Sequence, residues 1–207
     1  MTPVREPTLM PVAIADLRPT QLTVGKREVA AKRKAWRERD TKKEREFLGR
    51  HMIPTVLGPK DRHYVIDHHH MALALHEEGV RDVLVMTVAN LGRVDSTLFW
   101  SVMDAHGWVH PFDDKGRRRE FDDIPKSLAA LLDDPFRSLA GELRRVGGFS
   151  KETIPFSEFQ WADFLRLHIK RTLVEKQFTR ALEKALALAK SQDADYLPGW
   201  CGAASED

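Results

Sequence analysis

The chain has 207 residues, of which 42% are hydrophobic and 31% are charged, and its formal net charge is +2. This is the composition of an ordinary globular protein, and the sequence contains no run of about 18 apolar residues that could cross a bilayer. The N-terminal stretch lacks the apolar core of a signal peptide, and Cys201 is the only cysteine. We therefore expect a cytoplasmic protein with no membrane span and no internal disulfide bond.

The first half of the chain alternates between predicted strands and helices. "PVAIADLRPT" indicates a short strand ended by Pro19, and "VGKREVAAKRKAWRERD" indicates a charged helix that begins near Gly25. Two short β segments, near residues 53–57 and 63–66, flank the turn-forming "GPKD" and predict a hairpin. "HHHMALALHEEG" predicts a helix closed by Gly79, and "DVLVMTVANL" predicts a strand buried on both faces.

Helical patterns dominate from residue 95 onward. Helices are predicted for "STLFWSVMDAHGW", "IPKSLAALLDD", "PFRSLAGELRRVGG", "FSEFQWADFLRLHIKRTL" and "EKQFTRALEKALALAKSQ". Ser157 is the expected N-cap of the fourth. We therefore expect an α+β fold, with an α/β domain over residues 1–94 and a helical extension over residues 95–207 packed on it.

Two features of the second half have both a structural and a functional interpretation. The acidic pairs Asp122/Asp123 and Asp133/Asp134 precede predicted helices, where such residues usually serve as caps, although they could also hold a divalent ion. The aromatic residues of "FSEFQWADFLRLHIKR" are typical of a core helix. If that helix lies above a ligand site, four of its residues could close over the ligand: Glu158, Trp161, Asp163 and His168.

Positive charge is concentrated in residues 26–50, which contain eleven Lys or Arg and five Asp or Glu. As one long helix, this segment could contact nucleic acid, nucleotide phosphates or an acidic partner. Nonspecific nucleic-acid contact would use Lys32, Arg33, Lys34 and Arg37. The alternative is a solvated helix with mixed charges.

The stretch "YVIDHHHMALAL", residues 64–75, places three histidines where a strand leads into a helix. A helix N-terminus binds phosphate through free backbone N–H groups, and histidines there could add donors. A metal site is the second interpretation, because strand alternation would place Asp61, His63 and Asp67 on one face. The third is structural, with Asp67 as N-cap and the histidines packed around the first turn.

The sequence resembles the ParB/sulfiredoxin superfamily, and within it the ParB-like nuclease group. The resemblance is carried by "LRPTQLTVGKREVAAK", "YVIDHHHMALAL", "DDPFRSLAGELRRVGGF" and "PFSEFQWADFLR". It implies a small mixed sheet with helices, here followed by a C-terminal helical layer. It also implies a turn at a helix start that holds the phosphates of a nucleotide, and the superfamily's "DGHHR" form corresponds to residues 67–71.

Departures from the relatives narrow the chemistry that the resemblance implies. Sulfiredoxin needs a cysteine in its phosphate-binding turn, where this chain has histidine, so sulfinic acid reduction is not expected. In the related ADP-dependent free serine kinase a carboxylate acts as base where this chain has Gln21, and Met71 replaces an arginine. Kinase activity would therefore require another acid, such as Glu28 or Asp61.

Candidate roles follow from the pattern and the resemblance together. The expected ligand-binding residues are Thr20, Gln21, His68, His69 and His70. The catalytic candidates are Asp67, His69, His70 and Glu28. The leading interpretation is a protein that binds a nucleotide, with Mg²⁺, or another small phosphorylated ligand, and that transfers phosphate or hydrolyses nucleoside triphosphates. Two alternatives stay open: a nucleic-acid-binding protein or metal-dependent nuclease, and a noncatalytic nucleotide sensor.

Overall fold

A computed structural model of the protein describes residues 8–203. The strands are β1 (Thr8–Ala13), β2 (Thr23–Val24), β3 (Ile53–Gly58), β4 (Arg62–Val65), β5 (Asp82–Asn90) and β6 (Leu132–Asp133). The α-helices are α1 (Lys26–Arg37), α2 (Thr41–Arg50), α3 (His69–Glu77), α4 (Ser96–Ala105), α5 (Pro135–Arg145), α6 (Ser157–His168), α7 (Arg171–Lys176) and α8 (Phe178–Ala189).

The main sheet has four strands in the order β1-β5-β3-β4. β3 and β4 pair antiparallel, with Leu57 opposite His63, so the predicted hairpin is confirmed. β1 runs antiparallel to β5, whereas β3 runs parallel to it. A separate parallel pairing joins β2 to β6. The small mixed sheet packed against helices confirms the predicted α+β class.

The prediction that β5 is buried on both faces is wrong. Val83 and Val85 are buried, but Leu84 and Met86 are only half-buried and Val88 is 42% exposed. Burial that alternates along a strand shows that one face of the sheet at β5 is covered while the other is partly open. On the covered face β5 packs against α1 and α3 in a shared cluster of buried side chains.

The charged segment at residues 26–50 forms two helices, whereas the sequence predicted one. The chain leaves α1 at Glu38, and Asp40 begins α2 by accepting a hydrogen bond from the backbone N–H of Lys43 at 2.9 Å. This is the geometry of an N-cap, which favours a fresh helix start over continuation of the first helix.

The start of α1 is held against α5. The backbone N–H of Lys26 donates to the Asp133 carboxylate at 2.8 Å, and that of Arg27 donates to the Ser138 hydroxyl at 3.3 Å. Gly25 permits this approach, because a Cβ there would lie 2.7 Å from the backbone nitrogen of Ser138. The first amides of α1 are thus satisfied by protein groups and are not free for a ligand.

The predicted capping role is confirmed for Asp133 and Asp134, whereas the helix that Asp122 or Asp123 was expected to cap does not form. Asp134 accepts a hydrogen bond from the backbone N–H of Phe136 at 3.0 Å at the start of α5. Asp123 accepts one from the backbone N–H of Glu120 at 3.2 Å beside a short 3-10 helix. Asp133 caps α1 in space, although it is more than a hundred residues away in the chain.

The helix predicted for "IPKSLAALLDD" is wrong. The segment makes a 3-10 turn at Leu128–Ala130 and then extends into β6. The backbone N–H of Leu132 donates to the Leu22 carbonyl at 3.0 Å, and that of Asp134 donates to the Val24 carbonyl at 2.9 Å. Because pairing with β2 requires an extended backbone, this tertiary contact overrides the local helical pattern.

The other four helices predicted after residue 95 are confirmed as α4, α5, α6 and α8. The start of α6 differs by one residue from the prediction. Its N-cap is Phe156, which has a left-handed φ of 60°, and Ser157 is the first helical residue.

Within residues 8–203, buried side chains form three hydrophobic clusters. One lies between the main sheet, α1 and α3, a second among α5, α6, α7 and α8, and a third beneath α4. The first cluster includes Leu128 and Leu131, and the third joins Leu22 and Val56 to Phe99. Both therefore cross the predicted boundary at residue 94, and the division into two domains stays a prediction. None of the helices within residues 8–203 has the length and apolar character needed to cross a membrane.

Candidate functional site

A cleft with a volume of about 910 Å³ opens where α3 begins. α1, α2, α5 and the start of α6 contribute to its walls, together with the loop at residues 151–156. This volume is in the range of small-molecule binding sites. The histidine turn that the sequence singled out, residues 67–70, lies in the wall of this cleft.

The first turn of α3 carries unpaired backbone N–H groups. His68 precedes the helix in a left-handed conformation, with φ of 64°, and its own N–H donates to the Asp67 carboxylate at 2.6 Å. The N–H groups of His69, His70 and Met71 have no acceptor among the described residues. These groups and the positive end of the helix dipole make this turn suited to an anion.

The imidazoles of His69 and His70 are buried and hold the segment that precedes α1. Nε2 of His69 accepts the backbone N–H of Thr20 at 3.2 Å, and Nε2 of His70 accepts that of Gly25 at 2.9 Å. The Thr20 hydroxyl donates to the Val65 carbonyl at 2.6 Å. Both histidines, expected as phosphate donors, therefore have a structural task, and the polar groups of Thr20 have one as well.

Burial keeps both imidazoles neutral. It lowers the pKa of His69 to about 3 and that of His70 well below its usual value. Because Nε2 is the acceptor in each ring, the proton is on Nδ1. Nδ1 of His70 lies 3.5 Å from a Glu28 carboxylate oxygen, while Nδ1 of His69 has no partner among the described residues. A ligand could thus receive one imidazole hydrogen bond from His69 and another from the exposed His68.

Arg137 is a buried cation in the cleft wall. It exposes 5% of its surface, and its guanidinium carbon lies 3.6 Å from the centroid of the Phe159 ring. Its Nη2 lies 3.6 Å from a carboxylate oxygen of Glu158, which also forms an ion pair with Arg144. Its Nε and Nη1 have no hydrogen-bond partner within the described part of the chain. Burial lowers the pKa of Arg137, but an arginine remains charged at neutral pH.

Glu28 and Gln21 line the same cleft. The Glu28 carboxylate is held between Nδ1 of His70 and the Lys32 ammonium, which lies 3.2 Å away. The Gln21 side-chain amide donates to the Thr23 carbonyl at 2.7 Å. Glu28 is therefore an oriented carboxylate on the cleft wall, and Gln21 is an amide that cannot act as a base.

The start of α6 does lie at the cleft, but only one of its four candidate residues lines it. That residue is Glu158. Trp161 is fully buried and donates its indole N–H to the Pro198 carbonyl at 2.8 Å, and Asp163 forms an ion pair within α6. His168 lines a separate cavity, near the end of the helix.

The structure does not bring the predicted metal ligands together. Asp61 is exposed in a turn with φ of 53°, and His63 is buried with Nδ1 3.3 Å from the Thr55 hydroxyl. Asp67 is exposed beyond the end of β4. No three His, Cys, Asp or Glu side chains within residues 8–203 form a group that could hold a metal ion. The alternation on which the prediction relied applies only within β4, which is four residues long.

Part of the basic surface of α1 is neutralised by α3. Arg33 contacts Glu78 at 2.6 Å and Glu77 at 2.8 Å, and Arg37 contacts Glu78 at 2.7 Å. Hydrogen bonds from Arg37 and Arg33 lower the pKa of Glu78 to about 2. Lys32 is paired with Glu28 as well, so three of the four basic residues expected to contact nucleic acid form ion pairs within the protein.

Sequence reasoning missed Arg137 and Arg144. Both lie on α5, at positions i and i+7 of one helix face, with Gly141 between them. Gly141 leaves room for the Glu28 carboxylate, which would lie 3.2 Å from a Cβ at that position. One pattern in the sequence could have indicated this wall of the cleft. Arg137 lies beside the apolar stripe of the predicted helix, and a glycine follows it four residues later.

Comparisons with known proteins agree with this architecture. A family model described as "Putative ParB-like nuclease" matches residues 10–167, a span that contains all the cleft residues described above. The structure is similar to the crystal structure of protein Atu1540 from Agrobacterium tumefaciens, with a TM-score of 0.90 and 55% sequence identity. That similarity covers 95% of this chain and 98% of the other. No curated protein matches the chain.

Proposed function

This chain belongs to the ParB-like nuclease family, and we propose that its cleft binds a phosphate-bearing ligand, with a nucleotide as the leading candidate, at the first turn of α3. The observation that carries the proposal is Arg137, a cation that is 5% exposed and has two nitrogen donors without acceptors among the described residues. It lines the same cleft as three amides that also have no acceptor.

A buried charge with unsatisfied donors is costly unless another group supplies the missing acceptors. The oxygens of a phosphate group suit this need, because they accept charge-assisted hydrogen bonds from arginine and from amides at a helix start. Glu158 meets the need only partly, since its carboxylate is shared with Arg144 and lies 3.6 Å from Arg137.

Arg137 can also replace the positive charge that is missing because this chain has methionine at position 71. Met71 stands where the relatives have a phosphate-neutralising arginine, and it is a buried apolar side chain in the cleft wall. In our proposal, Arg137 and Arg144 supply the missing positive charge from α5. The positive charge that neutralises the phosphate then comes from α5 and not from the first turn of α3.

Phosphotransfer or hydrolysis is the proposed reaction, with Glu28 as the base. Its carboxylate lies in the cleft and is oriented by His70 and Lys32. The exposed carboxylate of Asp67 suits Mg²⁺, which binds nucleotide phosphates with only one or two protein carboxylates and would neutralise their charge. Nucleotide binding without release of phosphate would instead support a noncatalytic sensor.

The test is calorimetric titration of ATP, ADP, CTP and GTP, with magnesium, into the wild-type protein and the R137M variant. We expect the wild type to bind and R137M to bind about 10- to 100-fold more weakly, the effect of losing a hydrogen bond to a charged group. The matched control is R118M, because Arg118 is exposed and pairs with Asp104 outside the cleft.

Two results would contradict the proposal. One is the absence of binding by wild-type protein to any of the four nucleotides. The other is equal affinity in the wild type and in an R137M variant whose circular dichroism spectrum and thermal midpoint match those of the wild type.

Nucleic-acid binding is the second candidate, and the family name and the exposed basic side chains of α1 and α2 favour it. Lys34, Lys42 and Arg45 are exposed and have no ion-pair partner within the described residues. Such contacts would be nonspecific and would weaken as salt concentration rises. For the metal-dependent nuclease, cleavage of DNA or RNA that stops on addition of EDTA would be the required observation.

A further inference from the structure

We propose that the end of the cleft beside α2 holds a planar ring of the ligand, so that the site selects a nucleotide over a simple polyphosphate. This inference rests on the proposed function, because it concerns the remainder of a ligand whose phosphates lie at α3. It assigns a role to an aromatic stack, formed by Arg39, Phe47 and His51, that the phosphate site does not use.

Phe47 is sandwiched between two planar groups. The His51 ring stacks on it with centroids 3.9 Å apart and an interplanar angle of 16°, and the Arg39 guanidinium carbon lies 4.2 Å from the Phe47 centroid. Two planar groups this close cannot share one face of a ring, so they cover opposite faces. Trp36 approaches edge-on, with its centroid 5.9 Å from that of Phe47. The outer face of His51 is therefore the free end of the stack.

The His51 ring is exposed yet held in place. Its Nδ1 lies 2.9 Å from the Phe47 carbonyl oxygen, to which it donates, and its inner face is packed on the Phe47 ring. No other described ring stacks on its outer face. A rigid, exposed aromatic face can stack on the ring of a ligand with little further loss of side-chain freedom.

The stack and the anion-binding turn line the same cleft. Three residues after His51, the Pro54 carbonyl accepts the backbone N–H of Ile66 at 3.1 Å, and Ile66 is two residues before His68. His51 and His68 both line the cleft. The hydrogen bond between Pro54 in β3 and Ile66 after β4 thus ties the segment that carries His51 to the segment that carries the anion-binding turn.

One face of α1 runs along the cleft between the two ends. Glu28, Lys32, Ala35 and Arg39 all line the cleft and recur at spacings of four, three and four residues, so they share one side of the helix or its immediate continuation. At about 1.5 Å per residue this side spans roughly 16 Å. A ligand along it would meet the Glu28 carboxylate, the Lys32 ammonium and then the aromatic stack. An elongated molecule with phosphates at one end and a planar base at the other matches this order.

The experiment compares nucleoside diphosphates with pyrophosphate. ADP, GDP, CDP and pyrophosphate are titrated with magnesium into wild-type protein and into the H51A, H51F and H168A variants. H168A is the matched control, since His168 is also exposed and packs on a phenylalanine, Phe164, with ring centroids 4.5 Å apart, but lies outside the cleft.

We expect H51A to weaken the tightest-binding nucleoside diphosphate by about 10-fold, as loss of a base-stacking side chain does. H51F should retain the wild-type affinity because it preserves the stacking face, and pyrophosphate should bind equally to all four proteins. Nucleoside diphosphates and pyrophosphate that bind with equal affinity, unaffected by H51A, would overturn the ring site while leaving the phosphate site standing. Absence of binding by all four ligands to the wild type would overturn the proposed function and this inference with it.

Discussion

The imidazoles of His69 and His70 are buried and that of His110, between Phe112 and Phe159, is half-buried; all three are neutral, and this property makes the stability of the protein depend on pH. Burial lowers the pKa of His69 and of His110 to about 3, and that of His70 well below 6.5. In the unfolded chain each titrates near its ordinary value of about 6.5. At pH values between the folded and unfolded pKa, the unfolded state binds protons at these histidines and the folded state does not. The free energy of unfolding therefore falls as pH falls.

The first prediction is therefore a loss of unfolding free energy between pH 7.5 and pH 5.5. Each of these three histidines contributes a loss of about 1.4 kcal/mol per pH unit below 6.5. His63, whose pKa burial also lowers, acts in the same direction. Asp134, whose pKa burial raises to about 6, gains a proton in the fold and offsets a small part. We expect a net loss on the order of 3 kcal/mol, measured by urea unfolding. An H168Q variant should show the same loss, and equal stability at both pH values would contradict the assignment of neutral buried rings.

The position of the histidine cluster at a strand-to-helix junction could be predicted from the sequence, but the structural role of His69 and His70 could not. A run of histidines at a strand-to-helix junction is a local signal, so the position of the turn could be predicted from residues 64–75 alone. The acceptors that the rings provide, for Thr20 and Gly25, depend on how a segment some 45 residues earlier packs against the helix. That packing, and the placement of Arg137 from α5, cannot be derived from local spacing.

At the scale of elements, the ion pairs between α1 and α3 decide how much basic surface the protein offers to nucleic acid. Glu77 and Glu78 bind Arg33 and Arg37, and in the wild type they cancel much of the charge that the sequence pattern emphasises. The remaining exposed cations are scattered among acidic residues on both helices. We therefore expect weak nonspecific DNA binding by the wild-type protein.

The second prediction is that the double variant E77Q/E78Q binds DNA more tightly than the wild type. Removing two carboxylates frees two arginines, which should raise affinity several-fold at low ionic strength and steepen its salt dependence. Fluorescence anisotropy of a labelled duplex measures this. E183Q/D193N is the matched control, because it changes the net charge equally at two exposed carboxylates that have no ion-pair partner among the described residues. An equal gain in both variants would show that net charge, and not this pair of arginines, governs binding.

The ends of helices and strands could be predicted from the sequence where they depend on local residues. The predictions were wrong where the conformation depends on packing against a distant segment. Gly79 marks the end of α3 because it adopts a left-handed φ of 75°, and the "GPKD" turn marks the hairpin. β6 forms because residues near Leu22 are available to pair with it, and β5 is half-open because helices cover it on one side only. Neither the pairing of β6 nor the exposure of β5 can be predicted from the sequence of the segment alone.

At the scale of the whole molecule, the three hydrophobic clusters join the two predicted domains. Leu128 and Leu131, from the second half, pack in the cluster of the sheet and α3, and Phe99 packs with Val56 beneath α4. Truncation at residue 94 would remove all of these partners and leave part of each cluster exposed. Cavities and exposed apolar surface of this kind strongly destabilise small domains.

The third prediction is that the full chain unfolds in one cooperative transition and that a fragment of residues 1–94 has no cooperative transition of its own. Circular dichroism and tryptophan fluorescence should report the same midpoint for the full chain. Two separated transitions, or a fragment that melts cooperatively, would instead establish residues 1–94 as an independent domain.

The phosphate site is tested most directly by locating the bound nucleotide. Amide chemical shifts of the ¹⁵N-labelled protein are followed during titration with the tightest-binding nucleotide and magnesium. If phosphate binds at the first turn of α3, the largest shifts occur at the amides of His69, His70 and Met71, because phosphate oxygens accept their hydrogen bonds. Shifts confined to the exposed basic residues of α1 and α2, with these three amides unchanged, would contradict a phosphate site at this turn.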